Sequence, residues 1–179
     1  GPRQATFVDR VRRLPGVAAA GAGDGLFGGS NGNAFWPADS TTTASRVLRY
    51  FKVGPQFVET MGIAMADGRS FEPGRASDSS TVILNQAAVE AYGFDDPLEQ
   101  RLTPGDSVFF DVIGVTENFH FRSMRQEVAP AALFLGDPRG SDLPSSVYAR
   151  FAPGAASGFL EELRSTWTTF AGAAPFQYS

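Results

Sequence analysis

Apolar positions along the chain alternate between a helical and a strand period, and the switches mark out the elements. Phe7, Val11 and Leu14 recur at helical spacing with Arg10, Arg12 and Arg13 between them, and Pro15-Gly16 ends the run, which predicts an amphipathic helix. Val17 to Ala22 is small, apolar and unbroken, as a buried strand would be, and the glycine density from Gly23 to Asn33 predicts a loop. A strand pattern runs from Arg46 to Val53. Pro55 then stands where a helix begins, Phe57, Val58 and Met61 share a face, and Gly62 supplies the stop, giving a helix of about two turns. Ile63 to Met65 reads as a short strand, and Asp67-Gly68 as a tight turn reversing the chain toward Ser70 and Phe71.

Thr81 to Leu84 is β-branched and apolar, Asn85 suits an N-cap, and Ala88, Val89 and Tyr92 share one face of a helix that Gly93 closes. Thr103-Pro104-Gly105-Asp106 has the central Pro-Gly of a type II turn, so Arg101-Leu102 and Val108 to Val115 are expected to form a hairpin. Pro130 to Leu135 is a further strand, and Val147, Ala149 and Phe151 alternate with Tyr148 and Arg150 as a half-buried strand does. After Pro153, Phe159, Leu163, Trp167 and Phe170 form the strongest helical stripe in the chain, ended by Gly172, with a last strand starting at Pro175 to Tyr178. Phe7-Val8-Asp9-Arg10-Val11-Arg12 echoes Phe159-Leu160-Glu161-Glu162-Leu163-Arg164. If related, the two ends form neighbouring α/β units and the middle, about Arg46 to Leu135, is inserted between them.

Composition narrows the function classes. The 179 residues suit one domain or two small lobes, and 16 Phe with 20 Gly and 12 Pro point to a folded, loop-rich chain with much β structure. A net charge of -4 argues against a general nucleic-acid binder or a basic membrane-surface face. With no Cys, thiolate zinc sites, disulfides and thiol catalysis are excluded, while the compartment stays open. No apolar run approaches the roughly 20 residues of a transmembrane helix. Gly1-Pro2 reads as a protease scar, so a fragment of a longer protein is expected.

Candidate chemistry is sparse. His120 is the only imidazole, which rules out a multi-histidine metal site and obliges any Ser-His-Asp triad to use it. No Gly-x-Ser-x-Gly elbow accompanies it, so a structural or hydrogen-bonding role is favoured over catalysis. Gly21, Gly23 and Gly25 invite a dinucleotide-loop reading, but Gly28-Gly29-Ser30-Asn31-Gly32-Asn33 cannot start the helix that would hold a pyrophosphate. Asp95-Asp96 lack the alternating acidic ligands of a calcium loop and read as a solvated turn. Phe35-Trp36-Pro37 is either an anchor for a protein partner or a cap on the core, which makes Phe35 and Trp36 the candidate partner-binding residues. Arg10, Arg12 and Arg13 read as the solvated face of their helix, with lipid headgroup contact the alternative. Catalytic, cofactor and metal sites are not expected.

Three segments carry a family resemblance. They are Val53-Gly54-Pro55-Gln56-Phe57-Val58-Glu59-Thr60-Met61-Gly62-Ile63 continuing to Asp67-Gly68-Arg69-Ser70-Phe71; Val82-Ile83-Leu84-Asn85 through Tyr92-Gly93 to Asp96-Pro97-Leu98; and Phe110-Asp111-Val112-Ile113-Gly114-Val115 with Asn118-Phe119-His120-Phe121-Arg122-Ser123-Met124. Together they resemble the extracytoplasmic (periplasmic) domain of MacB/FtsX-type ABC transporter permeases. Trp167 to Phe170 and Pro175-Phe176-Gln177-Tyr178 are similar to the segment leading back to the membrane. Two features depart from the family pattern: Glu99 stands where a glycine is usual, and the chain starts at a helix that a strand usually precedes.

The resemblance implies an α+β fold of two lobes. Residues 1–45 and 136–179 would form a membrane-proximal, porter-like βαβ lobe, and residues 46–135 an inserted, mixed α/β outer lobe of Sabre-like type. It implies a non-catalytic, force-transmitting domain without cofactor or metal, on the periplasmic side of an inner-membrane protein. Its partners would be a cytoplasmic ABC ATPase subunit, a second permease copy, and a periplasmic accessory protein or substrate. The alternative is an envelope protein-binding module that recruits or activates a partner such as a cell-wall hydrolase.

Overall fold

The computed structural model describes residues 2–24, 31–38, 45–105, 107–120, 127–138, 144, 146–151, 156–171 and 176. In chain order the elements are α1 (Pro2–Arg12), β1 (Val17–Gly23), β2 (Asn31–Pro37), β3 (Arg46–Val53), α2 (Phe57–Met61), β4 (Met65–Gly68), β5 (Thr81–Asn85), α3 (Gln86–Tyr92), β6 (Arg101–Thr103), β7 (Phe110–Thr116), β8 (Ala131–Leu135), β9 (Ser146–Phe151) and α4 (Ala156–Ala171). Of the predicted last strand only Phe176 is described, outside any strand, and the Gly172 stop lies outside the described residues, as do Gly25 and residues 121–126.

Strand pairing runs β2-β6-β7-β5-β8-β3-β1-β9, and β2 also pairs with β3. The second pairing of β2 turns six strands into a closed ring. Its residues Asn31 to Phe35 lie antiparallel to β3, from Tyr50 to Arg46, while Trp36 and Pro37 reach Thr103 and Leu102 of β6. The ring is mixed, since β3 with β8 and β5 with β7 are parallel and its other pairs antiparallel. Inside it, Phe35, Leu48, Val82, Leu84, Leu102, Phe110, Val112 and Phe134 pack against Ala88 of α3. Phe35 stacks on Phe134 at 5.3 Å between centroids, and Phe110 meets Phe134 edge-on at 4.9 Å.

A second cluster lies on the outer side of β3, β5 and β8, where Phe51, Val53, Ile83, Ala131 and Leu133 are covered by Phe57 and Val58 of α2 and by Phe71. A third belongs to the chain ends. There β1 and β9 pair antiparallel, and Phe7, Val8 and Val11 of α1 join Ala20, Ala22 and Phe159. Phe7 sits 5.2 Å from Trp167 and 5.0 Å from Phe170, so the two helices carrying the sequence echo are neighbours. The molecule is therefore α+β, with its two ends in one packing unit and the ring in another. The sequence division placed residues 31–37 with the chain ends, whereas all pairings of β2 are with ring strands.

Local signals explain most boundaries. Gly62 and Gly93 end α2 and α3 in the left-handed conformation, with φ of 66° and 70°. Asn85 caps α3 by accepting the Ala88 N–H at 2.9 Å. Two expectations give way. Residues 31–33 are strand rather than loop, because backbone pairing on the β3 side holds them despite their glycine content. Asp67-Gly68 does not reverse the chain: Gly68 lies opposite Gly114 of β7, and a Cβ there would come 2.4 Å from the Ile113 carbonyl oxygen. That glycine serves close approach of two strands.

Candidate interaction surface

Alternation along the ring strands sorts their side chains. Leu48, Phe35, Leu102 and Phe110 point inward, so Val47 and Arg49, Ala34 and Trp36, Arg101 and Thr103, and Asp111 are assigned to the outside, and Phe109, just before β7, lies against Arg101 on that side. A Cβ built on Gly32 would meet Arg49 Nη1 at 3.2 Å and Val47 Cγ1 at 3.7 Å, which fixes those two on the outer face. Val47 is paired with Ala34, and Trp36 with Thr103. Beyond them the Arg101 guanidinium lies 5.4 Å from the centre of the Phe109 ring. Val47 is 68% exposed and Phe109 44%. Both are exposed, in contrast to the residues that α2 covers.

The structure separates the two predicted partner-binding residues. Phe35 is fully buried inside the ring against Phe134, a core residue, and its carbonyl accepts the Tyr92 hydroxyl at 3.0 Å. Burial pushes the Tyr92 phenol above its ordinary range, which leaves it a neutral donor at any physiological pH. Trp36, next in sequence, is half-buried on the outer face. Val47 had no sequence signal of its own, although the inward parity of Leu48 was available to place it, and Phe109 precedes its strand, where parity does not apply.

The other candidates are dispersed. His120 is exposed in the segment after β7, beyond the end of the ring ladder. Asp95 and Asp96 are exposed in the turn after α3, where the Asp96 carbonyl accepts the Glu99 N–H at 3.3 Å. Glu99 closes the short 3-10 turn Pro97–Glu99. Arg10, Arg12 and Arg13 are exposed on α1, with Arg10 5.8 Å from the Phe170 ring. Gly21 and Gly23 lie within β1, where α2 packs on them, and are strand residues rather than a phosphate loop. Among the described residues no cluster of three metal-ligating side chains occurs, and no helix is long and apolar enough to cross a membrane.

The best-defined polar constellation was only half visible in sequence. Arg69, in the Gly-Arg-x-Phe segment, donates two hydrogen bonds to Asp78, at 2.7 and 3.0 Å, and the Glu72 N–H adds a third at 2.8 Å. Asp78 is wholly buried in the short 3-10 turn Ala76–Ser80. The hydrogen bond from Arg69 holds the Asp78 carboxyl below the usual carboxylate range against the opposing effect of burial, and raises the Arg69 guanidinium in turn. These bonds clamp the loop that carries Phe71 onto the outer core, a structural task.

No protein-family profile and no curated protein matches this chain. Solved structures do. The periplasmic region of MacB from Actinobacillus actinomycetemcomitans is similar with a TM-score of 0.64 at 15% identity, over 94% of this chain and 74% of that one. A permease-protein domain from Porphyromonas gingivalis gives 0.62 at 17%, over 88% and 71%. The extracellular domain of the ABC-type transporter YknZ from Gram-positive bacteria gives 0.59 at 14%, over 90% and 76%. The chain shares their fold across nearly its whole length.

Proposed function

We propose that this chain is a non-catalytic extracytoplasmic domain of an ABC transporter permease of MacB/FtsX type, working on the periplasmic side of the inner membrane. The observation that carries the reading is the fold shared with the MacB periplasmic region over 94% of the chain. In the parent protein, a cytoplasmic ABC ATPase subunit and a second permease copy drive the domain, which moves or exports a peptide, lipoprotein or small molecule. The placement of both chain ends in one unit supports this, since displacement of flanking membrane segments would enter the domain there. We further propose that the chain-end unit, taken as residues 1–45 and 136–179, lies nearest the membrane and residues 46–135 stand outward, with β2 contributed to the outer ring.

The test is hydropathy of the parent gene over roughly 40 residues on each side. Apolar spans of about 20 residues on both flanks are expected; flanks without them would defeat the permease reading. A second reading, an envelope module that recruits an accessory protein, draws on the outer face around Trp36, Val47 and Phe109. It expects Trp36→Ala to abolish partner capture while leaving ATP hydrolysis by the full transporter unchanged.

A further inference from the structure

Among the described residues, the chain-end unit and the ring share little backbone pairing. Between β1 and β3 the ladder comes down to one register pair, Gly23 with Val53. Two flanking bonds extend it, from Asp24 N–H to the Lys52 carbonyl at 2.9 Å and from Gly54 N–H to the Ala22 carbonyl at 2.8 Å, with a Lys52–Asp24 ion pair at 3.4 Å. A contact this narrow would act as a hinge if nothing braced it.

The brace is α2. This helix leaves β3 through Gly54-Pro55-Gln56 and lies on the face of β1 opposite α1, within contact of β9. Its fit depends on two absent side chains. A Cβ at Gly21 would stand 2.9 Å from Thr60 Oγ1 and 3.0 Å from the Gln56 carbonyl carbon, and one at Gly23 would stand 2.3 Å from the Phe57 ring. Phe57 is fully buried and meets Tyr148 of β9 edge-on at 5.8 Å, while also packing in the outer cluster of the ring with Phe51, Val53 and Leu133. One ring thus belongs to both units. At the other end of α2, a Cβ on Gly62 would approach Arg150 of β9 at 3.1 Å.

We propose that the seat of α2 on Gly21 and Gly23 is a rigid joint, locking the chain-end unit to the ring so that a displacement applied at the ends reaches the ring undamped. Its use in transmission rests on the permease reading; the joint itself does not. Gly21 is the sensitive position, because a side chain there meets backbone atoms of Gln56 at the N-cap of α2, at 3.0 and 3.1 Å, which no rotamer change moves away.

The absence of cysteine makes the test direct. Spin labels on Glu162→Cys in α4 and Glu90→Cys in α3, both exposed, report the distance between the two units. A single narrow distribution is expected in the otherwise unchanged chain, and one about twofold broader with Gly21→Val, while the circular dichroism of the folded state persists. A broad distribution in the parent, or an equally narrow one in folded Gly21→Val, overturns the proposal. If Gly21→Val does not fold, hydrogen exchange of the unaltered chain decides. One shared opening free energy for β1, β9 and the ring strands supports the joint, and separate opening of β1 and β9 refutes it. Neither readout depends on membrane flanks, so failure of the joint and failure of the permease reading are distinguishable.

Discussion

Adjacent aromatic residues can have opposite energetic roles when a strand alternates, and Phe35 and Trp36 do. Phe35 fills the ring interior against Phe134 and Tyr50, so Phe35→Ala should cost about 3–5 kcal/mol by opening a cavity. Trp36→Ala, on the half-buried outer face, should cost about 1 kcal/mol. Urea unfolding of the two variants measures the contrast directly. At Asp78, loss of the buried carboxylate takes away the main partner of Arg69, but that guanidinium keeps the Ser70 carbonyl at 3.0 Å and Glu72 at 3.9 Å and is partly solvated. Asp78→Ala is therefore expected near the low end of the range for broken buried pairs, about 3 kcal/mol. The pH dependence follows from the depressed carboxyl. Its contribution is present above the unfolded carboxylate pKa and is lost as pH falls through that value toward the lower folded one. Stability of the parent should drop below about pH 4, and Asp78→Asn should flatten that part of the profile. Thermal melts across pH 2 to 6 provide the comparison.

Among the elements, the strand-helix unit of β5 and α3 shows how one side chain can serve three partners. Asn85 accepts the N–H groups of Ala88 and Ala131 and donates to the Ala129 carbonyl at 3.0 Å, so it caps α3 and pins the start of β8. Asn85→Ala should cost more than the roughly 1 kcal/mol of a simple cap, because buried backbone groups on two elements lose their partner. Faster hydrogen exchange at both Ala88 and Ala131 would mark it; a change confined to Ala88 would reduce Asn85 to a cap. The capping role was legible in sequence because it depends on local spacing. The tie to β8, 46 residues away, was not. Likewise β2 was read as loop as far as Asn33, since its Asn-Gly-Asn start is a poor strand signal and only β3 and β6 supply what keeps it extended. On the candidate surface, Trp36 stood out as an aromatic in a polar stretch, while Val47 and Arg101 came to the same side only through β2–β3 and β2–β6 pairing, and Phe109 through its contact with Arg101.

For the whole molecule, the two tryptophans are well placed as reporters, Trp36 on the ring and Trp167 in the chain-end unit. Their urea transitions, read separately in Trp167→Phe and Trp36→Phe, should coincide if the two units unfold together. Displaced midpoints would show independent folding and weaken the case for a rigid connection. On the permease reading proposed above, His120, exposed and outside the ladder, should tolerate Ala without loss of ATPase coupling in a full transporter, and any activity lost with it would revive a catalytic reading. The amino-acid sequence alone determined the helix faces, the caps at Asn85, Gly62 and Gly93, the Pro-Gly hairpin and the segments that resemble permease domains. Each of these is written in spacings of a few residues. Tertiary structure decided that β2 closes a ring, that Phe35 turns in while Trp36 turns out, that Asp78 lies under Arg69, and that Gly21 and Gly23 are space for a helix rather than for a phosphate. Those outcomes depend on which distant strand or helix comes alongside, and a local pattern of residues does not contain that choice.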